Sequence, residues 1–234
     1  MAQHGKRYEN ALKEIEEEKN YPLTEAVALA KKVSHAKFDE TLEMHFRLNI
    51  DSRHSDQQVR NTVLLPHGLG KTVRVIVFAE GDDARKAEAA GADIIGDEAA
   101  LARIQNEGWV DFDAALAVPS MMQRISRVAR ILGPRGLMPN PKAGTVVQPE
   151  ELEKALGELK AGRVEFRNDK TGNLHVPAGK MSFDANKLAE NAQAILDAVQ
   201  RNRPSTVKGS FIRRLTITST MGPAIRVDIG SQAI

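Results

Sequence analysis

The sequence contains no cysteine. That absence excludes a disulfide framework, Cys-ligated zinc and a thiol nucleophile, and it suits a reducing compartment. Acid and base nearly balance: 33 Lys/Arg against 31 Asp/Glu leave a net charge of +2, so nothing global demands a polyanion partner. No apolar run approaches the roughly 20 residues that a membrane span needs. The opening stretch, MAQHGKRYENALKEIEEEK, is polar and has no apolar core of a signal peptide. A soluble, cytoplasmic protein without a membrane partner is expected.

Catalytic signatures are also missing. The six histidines (4, 35, 45, 54, 67 and 175) show no metal-ligand spacing such as H-E-x-x-H, and no metal or other cofactor is expected. There is no G-x-S-x-G elbow and no G-x-G-x-x-G dinucleotide fingerprint. The segment GLGKT (68–72) resembles a P-loop, but the motif requires glycine at the position of Leu65. A P-loop also opens a helix, whereas VRVIVFA follows here and reads as a strand. Asp82–Asp83 and Asp111/Asp113 are candidate carboxylate pairs, yet each sits where a cap or turn is expected.

What is present is uneven. Residues 1–67 carry 10 Lys/Arg and 11 Asp/Glu, residues 68–159 carry 11 and 14, and residues 160–234 carry 12 and 6. The last third is therefore basic, and such asymmetry points to an anionic partner. Hydrophobic patterning divides the chain at the same places. Tyr8–Lys19 reads as a charged helix, and Thr24 as the cap of a second, with Ala26, Val27, Ala30 and Val33 on one face. In TLEMHFRLNI, Leu42, Met44, Phe46, Leu48 and Ile50 alternate with polar residues, as in a strand with one wet face. VRNTVLLP is a second candidate strand.

The middle is different. VRVIVFAEG (73–81) is almost continuously apolar, as a strand covered on both faces is. Helices are expected at 83–91, 97–107 and 120–131, alternating with short apolar runs, which is the signature of a small parallel α/β unit. A helix starting at Pro149 follows. The half-wet style returns with RVEFRND, NLHVPAG, a helix over 184–202, IRRLTITST and AIRVDIG. We therefore expect a two-domain protein: a discontinuous α+β domain, residues 1–67 plus 160–234, with an α/β domain, 68–159, inserted. The crossings PHGLGK and KAGR carry flexible residues, and Pro66, Gly68, Gly70 and Gly162 are the expected hinge positions.

Three polar turns lie in the outer domain: HAKFDET (35–41), EFRNDKTG (165–172) and STMGPAIR (219–226). If they cluster, they offer hydroxyls, cations and a few flat or soft side chains on a rigid sheet, a surface suited to RNA sugars, phosphates and exposed bases. Aromatics make up only 4% of the chain, so recognition by shape and 2′-OH groups is expected in place of a stacking platform. The loop ILGPRGLMPNPKAGTVV (131–147) is rich in glycine and proline. Its GPRG matches a G-x-x-G clamp only weakly, and a rigid structural loop is expected there. A nucleotide-using α/β enzyme, with GLGKT or GPRG holding phosphate, is the competing class. An interaction scaffold without RNA leaves the basic third unexplained.

Five long blocks, KFDETLEMHFRLNID, LPHGLGK, GPRGLMPNPKAGTV, EFRNDKTGNLH and STMGP, in this order and spacing, closely resemble the bacterial form of the large-subunit ribosomal protein L-one family. The resemblance runs nearly end to end. It implies a split α+β domain with an inserted Rossmann-like α/β domain, and no enzymatic activity. It implies binding to large-subunit (23S) rRNA at a mobile stalk beside the tRNA exit site, assistance to deacylated tRNA leaving that site, and repression of translation through the leader of its own operon's mRNA. It further implies a place in the large ribosomal subunit and a monomer when free. Carried over by position, the family's RNA surface falls on Lys37, Phe38, Thr41 and Glu43, on Asp169, Lys170 and Thr171, and on Ser219, Thr220, Met221, Gly222 and Pro223.

Overall fold

The computed structural model describes residues 5–16 and 18–230. In chain order its elements are α1 (Lys6–Lys13), α2 (Leu23–Val33), β1 (Thr41–Leu48), β2 (Arg60–Leu64), β3 (Val75–Phe78), α3 (Asp82–Ala89), β4 (Ile94–Ile95), α4 (Glu98–Glu107), β5 (Ala114–Ala117), α5 (Met122–Ile125), α6 (Ala129–Leu132), α7 (Leu152–Ala161), β6 (Arg163–Arg167), β7 (Asn173–Lys180), α8 (Ala185–Arg201), β8 (Ile212–Ser219) and β9 (Ile225–Val227). The chain forms two compact units. One joins the residues up to Lys71 to those from Val164 onward; the other is Thr72–Arg163. Both divides lie four residues later than the sequence patterning places them.

The first unit is built on a four-stranded sheet in the order β7-β1-β8-β9. β1 runs antiparallel to both neighbours, with Glu43 opposite Pro177 and Thr218, and His45 opposite His175 and Thr216. The alternation in β1 is realised: Leu42, Met44, Phe46 and Leu48 are each at most 2% exposed. They join a core with α2 residues Ala26, Val27 and Ala30 and α8 residues Leu188, Ala192, Ile195 and Val199. Truncating a side chain as enclosed as Phe46 costs about 3–5 kcal/mol. The other face, carrying Thr41, Glu43, His45 and Arg47, stays wet. β2 and β6 form a separate pair.

Two helix starts and ends depart from expectation. α1 stops at Lys13, well before Lys19, and Glu17 lies outside the described residues. The chain leaves the helix so that Ile15 reaches the core and the Glu16 N–H donates to the Tyr21 hydroxyl at 3.0 Å. α2 begins at Leu23, with Pro22 in the capping position and Thr24 inside the first turn. The Pro22 carbonyl accepts the first helical bond from the Ala26 N–H at 2.9 Å, so Thr24 caps nothing.

The second unit holds a parallel sheet in the order β4-β3-β5. All four residues of β3 are buried, as the unbroken apolar run requires. Asp97 caps α4, its side chain accepting from the Ala100 N–H at 2.8 Å. The helix expected over 120–131 is instead a series of short turns, with α5 and α6 separated by a 3₁₀ stretch at Ser126–Val128. The Ser126 hydroxyl donates back to the Gln123 carbonyl at 2.5 Å, a local bond that competes with the helical ladder and bends it. Val128 then leaves the helical region at φ −100°, ψ 4°. Among the described residues, no helix is long and apolar enough to cross a membrane.

Candidate RNA interface

Two of the three polar turns meet at the start of β1. The Thr41 N–H donates to Thr220 Oγ1 at 3.0 Å, and the Met221 N–H donates to Glu40 Oε2 at 2.9 Å. Glu40 is 1% exposed and also accepts from Ser34 Oγ at 2.7 Å and from the Ala36 N–H at 3.1 Å. Burial alone would raise its pKa; the neighbouring Ser219 hydroxyl and the hydrogen bonds from Ser34, Met221 and Ala36 outweigh that and lower it below its ordinary value. One buried carboxylate thus fixes the 34–36 loop against the 219–221 turn. Nothing in the sequence signals this brace, because Met221 lies 181 residues from Glu40.

The side chains that this brace presents are mixed. Phe38 and Met221 are 55% and 66% exposed, unusual for such apolar groups, and Lys37 and Thr220 are exposed beside them. Thr41 Oγ1 accepts from Lys180 Nζ at 3.0 Å, which leaves the threonine proton available to an oxygen acceptor. Lys180 and Asp39 brace this turn: Lys180 Nζ also donates to the Asp39 carbonyl at 3.2 Å, and Asp39 accepts from the Ser182 N–H and hydroxyl at 3.0 and 2.8 Å. Ser219 and Pro223 are buried and shape the turn. Gly222 has no room for a side chain, since an added Cβ would come within 2.4 Å of the Ser219 hydroxyl.

The third turn does not join them. It sits at the opposite end of β1, where the Leu48 N–H donates to the Gly172 carbonyl at 2.9 Å. Arg47, opposite Asn173 in the register, lies six residues along the strand from Thr41, about 20 Å. The expected single cluster is therefore two groups. Asp169 organises the far one, accepting from the Thr171 N–H at 2.8 Å, the Asn173 N–H at 2.7 Å and the Thr171 hydroxyl at 2.8 Å. Burial opposes ionisation, but the bonds from Asn173 and Thr171 lower the Asp169 pKa to about 2. Asp169 and Thr171 are thus occupied in folding their own turn, and Gly172 closes it at φ +82°. Lys170 and Thr171 are the exposed members.

Between the two groups lies the open face of the sheet. His45 and His175 meet across it, Nδ1 to Nδ1 at 2.8 Å with ring centroids 5.0 Å apart. Burial and then His175 lower the His45 pKa, against a weaker raising by Glu43. Glu43, Thr216 and Thr218 flank the pair. Arg47 donates to the Thr171 carbonyl and, at 3.1 Å, to Asn173 Oδ1, while Arg214 and Arg226 stand exposed on β8 and β9. The wet half of the β1 alternation was legible in sequence; that it links two turn groups was not.

The expected hinge positions fall differently. The side chain of Asn191, which is fully buried, donates to the Gly68 carbonyl at 2.9 Å and accepts from the His67 N–H at 3.1 Å. An added Cβ on Gly70 would meet the Phe183 ring at 2.9 Å. Pro66 to Gly70 are thus fastened to the first unit. Gly162, at φ 109°, is the left-handed cap of α7. Among the described residues no cluster of three or more His, Asp or Glu has metal-holding geometry; His4 lies outside them.

Similarity to known proteins gives this surface its context. Residues 30–223 match the model of the ribosomal protein L1p/L10e family. The chain belongs to that family. It is 54% identical over 229 residues to the large ribosomal subunit protein uL1 of Chloroflexus aggregans, covering 98% of this chain and 97% of the relative. It is 53% identical over 228 residues to uL1 of Thermosipho africanus, covering 97% of each. The L1 family is one of structural ribosomal proteins, not of enzymes, and the nucleotide-using enzyme is set aside. Both motifs offered for it fail locally: GLGK leads into β3, and GPRG follows the single-turn α6 without joining two helices.

Proposed function

We propose that this chain is a constituent of the large ribosomal subunit that binds large-subunit (23S) rRNA at its mobile stalk through the first unit. The α+β unit is read as the RNA-binding domain and Thr72–Arg163 as an inserted Rossmann-like domain. The observation that carries the proposal is the braced pair of turns at the start of β1. It exposes Lys37, Phe38, Thr220 and Met221 together on a rigid sheet, and such a surface suits sugar, phosphate and base faces. The open face and Lys170 extend the contact along β1, so the RNA it fits is folded, with separate segments at the two ends.

The same surface serves the leader of the chain's own operon mRNA, which imitates the rRNA site, so that surplus protein represses its own synthesis. A free monomer suffices for both. Movement of deacylated exit-site tRNA falls to the second unit. Ala114–Pro149 contains five Arg/Lys and no Asp/Glu within an otherwise acidic segment, and Arg127, Arg130, Arg135 and Lys142 are exposed. Flexing takes place beyond Gly70 and at Gly162–Val164, outside the segment held by Asn191.

The test is quantitative binding of the full chain to a stalk rRNA fragment. Thr220→Val and Met221→Asp are both expected to weaken it. Unchanged affinity in both moves the site elsewhere.

A further inference from the structure

α1 packs beside the first RNA turn, and the interface proposed above assigns it no task. Between them lies a groove of about 470 Å³, whose walls include Tyr8, Phe38, Met221 and Pro223, with Arg7 and Lys37 at its rim. That volume lies within the roughly 300–1,000 Å³ of small-molecule sites. We propose that the groove is a subsite for one unstacked nucleobase of the bound RNA, seated among Tyr8, Phe38 and Met221, with its phosphate on Arg7 and Lys37. The proposal rests on the RNA-binding reading.

Three features argue for this occupant. First, the two most exposed large apolar side chains among the described residues, Met221 and Phe38, share this one rim. Second, both rim cations are exposed. A flat apolar ring tethered to an anion matches that pairing, whereas an apolar peptide supplies no anion. Third, Glu40 also lines the groove, but its oxygens already accept from Ser34, Ala36 and Met221. It fastens the walls to each other, its charge already engaged by those donors. The groove is continuous with Thr41 and Thr220 through the Glu40–Thr41 and Thr220–Met221 peptide units, so a base entering it leaves its sugar beside two hydroxyls.

The experiment is a double-mutant cycle between protein and RNA, with full-length chain and the stalk rRNA fragment. Tyr8→Ala is expected to weaken binding at least roughly fivefold, the low end for loss of a base–aromatic contact. An abasic scan of the fragment is expected to reveal one nucleotide whose base deletion weakens native binding similarly and costs nothing further in Tyr8→Ala. If Thr220→Val and Met221→Asp lose affinity while Tyr8→Ala does not, or if every abasic penalty simply adds to that of Tyr8→Ala, the subsite is overturned and the RNA-binding reading stands. If the native chain does not bind the fragment, both fall. Should Tyr8→Ala lose its cooperative thermal transition, Tyr8→Leu, which keeps apolar bulk but not the aromatic face, takes its place in the same cycle.

Discussion

The Met221 N–H donates to Glu40 Oε2 at 2.9 Å, joining residues 181 positions apart in the chain. Glu40 is buried and accepts from two further donors on its own side of the turn, so its charge is the element that fixes both walls of the interface. Replacing it by Gln turns one acceptor into a donor facing donors. A buried group left unpaired costs about 1–3 kcal/mol, and Glu40→Gln is expected to destabilise the fold by that order in urea unfolding. RNA-fragment affinity should fall with it. Native stability and affinity in this variant would show that the two turns hold themselves.

Acid should loosen the far turn last. The Asp169 pKa is lowered to about 2 from an ordinary 3.8. A depressed carboxyl pKa contributes stability that is present above the unfolded value and lost as pH falls through the folded one. The window is therefore about pH 4 down to 2. In Asp169→Asn the acid-induced loss of stability over that window should be smaller than in the native chain. Identical acid limbs for the two proteins would exclude Asp169 as a contributor.

Salt dependence counts phosphate contacts. With Lys37 and Lys170 as main partners, log K should fall by about 0.7–0.9 per log unit of salt for each phosphate neutralised. The double variant Lys37→Gln/Lys170→Gln is expected to flatten the slope by about 1.4–1.8. A native slope typical of many contacts, left unchanged in the double variant, assigns the phosphate contacts to other residues.

The second unit's loop separates the two RNA partners. Arg135→Gln/Lys142→Gln removes two exposed charges, so stability should move by less than about 0.5 kcal/mol. Affinity for the rRNA fragment should stay nearly intact, while affinity for deacylated tRNA should drop. A large loss on the rRNA fragment makes the loop part of the stalk interface.

The loop also shows where pattern reading stops. Its glycines and prolines announce a rigid shape, but its fastening is tertiary: Asn140 and Thr145 bond each other across it, and the Arg163 guanidinium donates to the Ala143 carbonyl at 3.0 Å. The β1 alternation could be read outright, because a period of two has one physical meaning. The 120–131 helix was misread because periodicity cannot register the Ser126 hydroxyl bonding back to the Gln123 carbonyl. Gly68 and Gly70 stand out by residue type, but Asn191, whose side chain bonds the Gly68 carbonyl and the His67 N–H, carries no local signal.

By itself the sequence determined the faces of β1 and the parallel middle segment. These follow from local propensity and from the period of apolar residues, which act over a few positions. Only the tertiary structure decided that two turns meet and the third stands about 20 Å away, that Glu40 and not an exposed residue binds the pair together, and that α1 closes a groove beside them. Each of those is a contact between positions far apart in the chain, where the register of β1 and the burial of single polar groups, not local pattern, set the outcome.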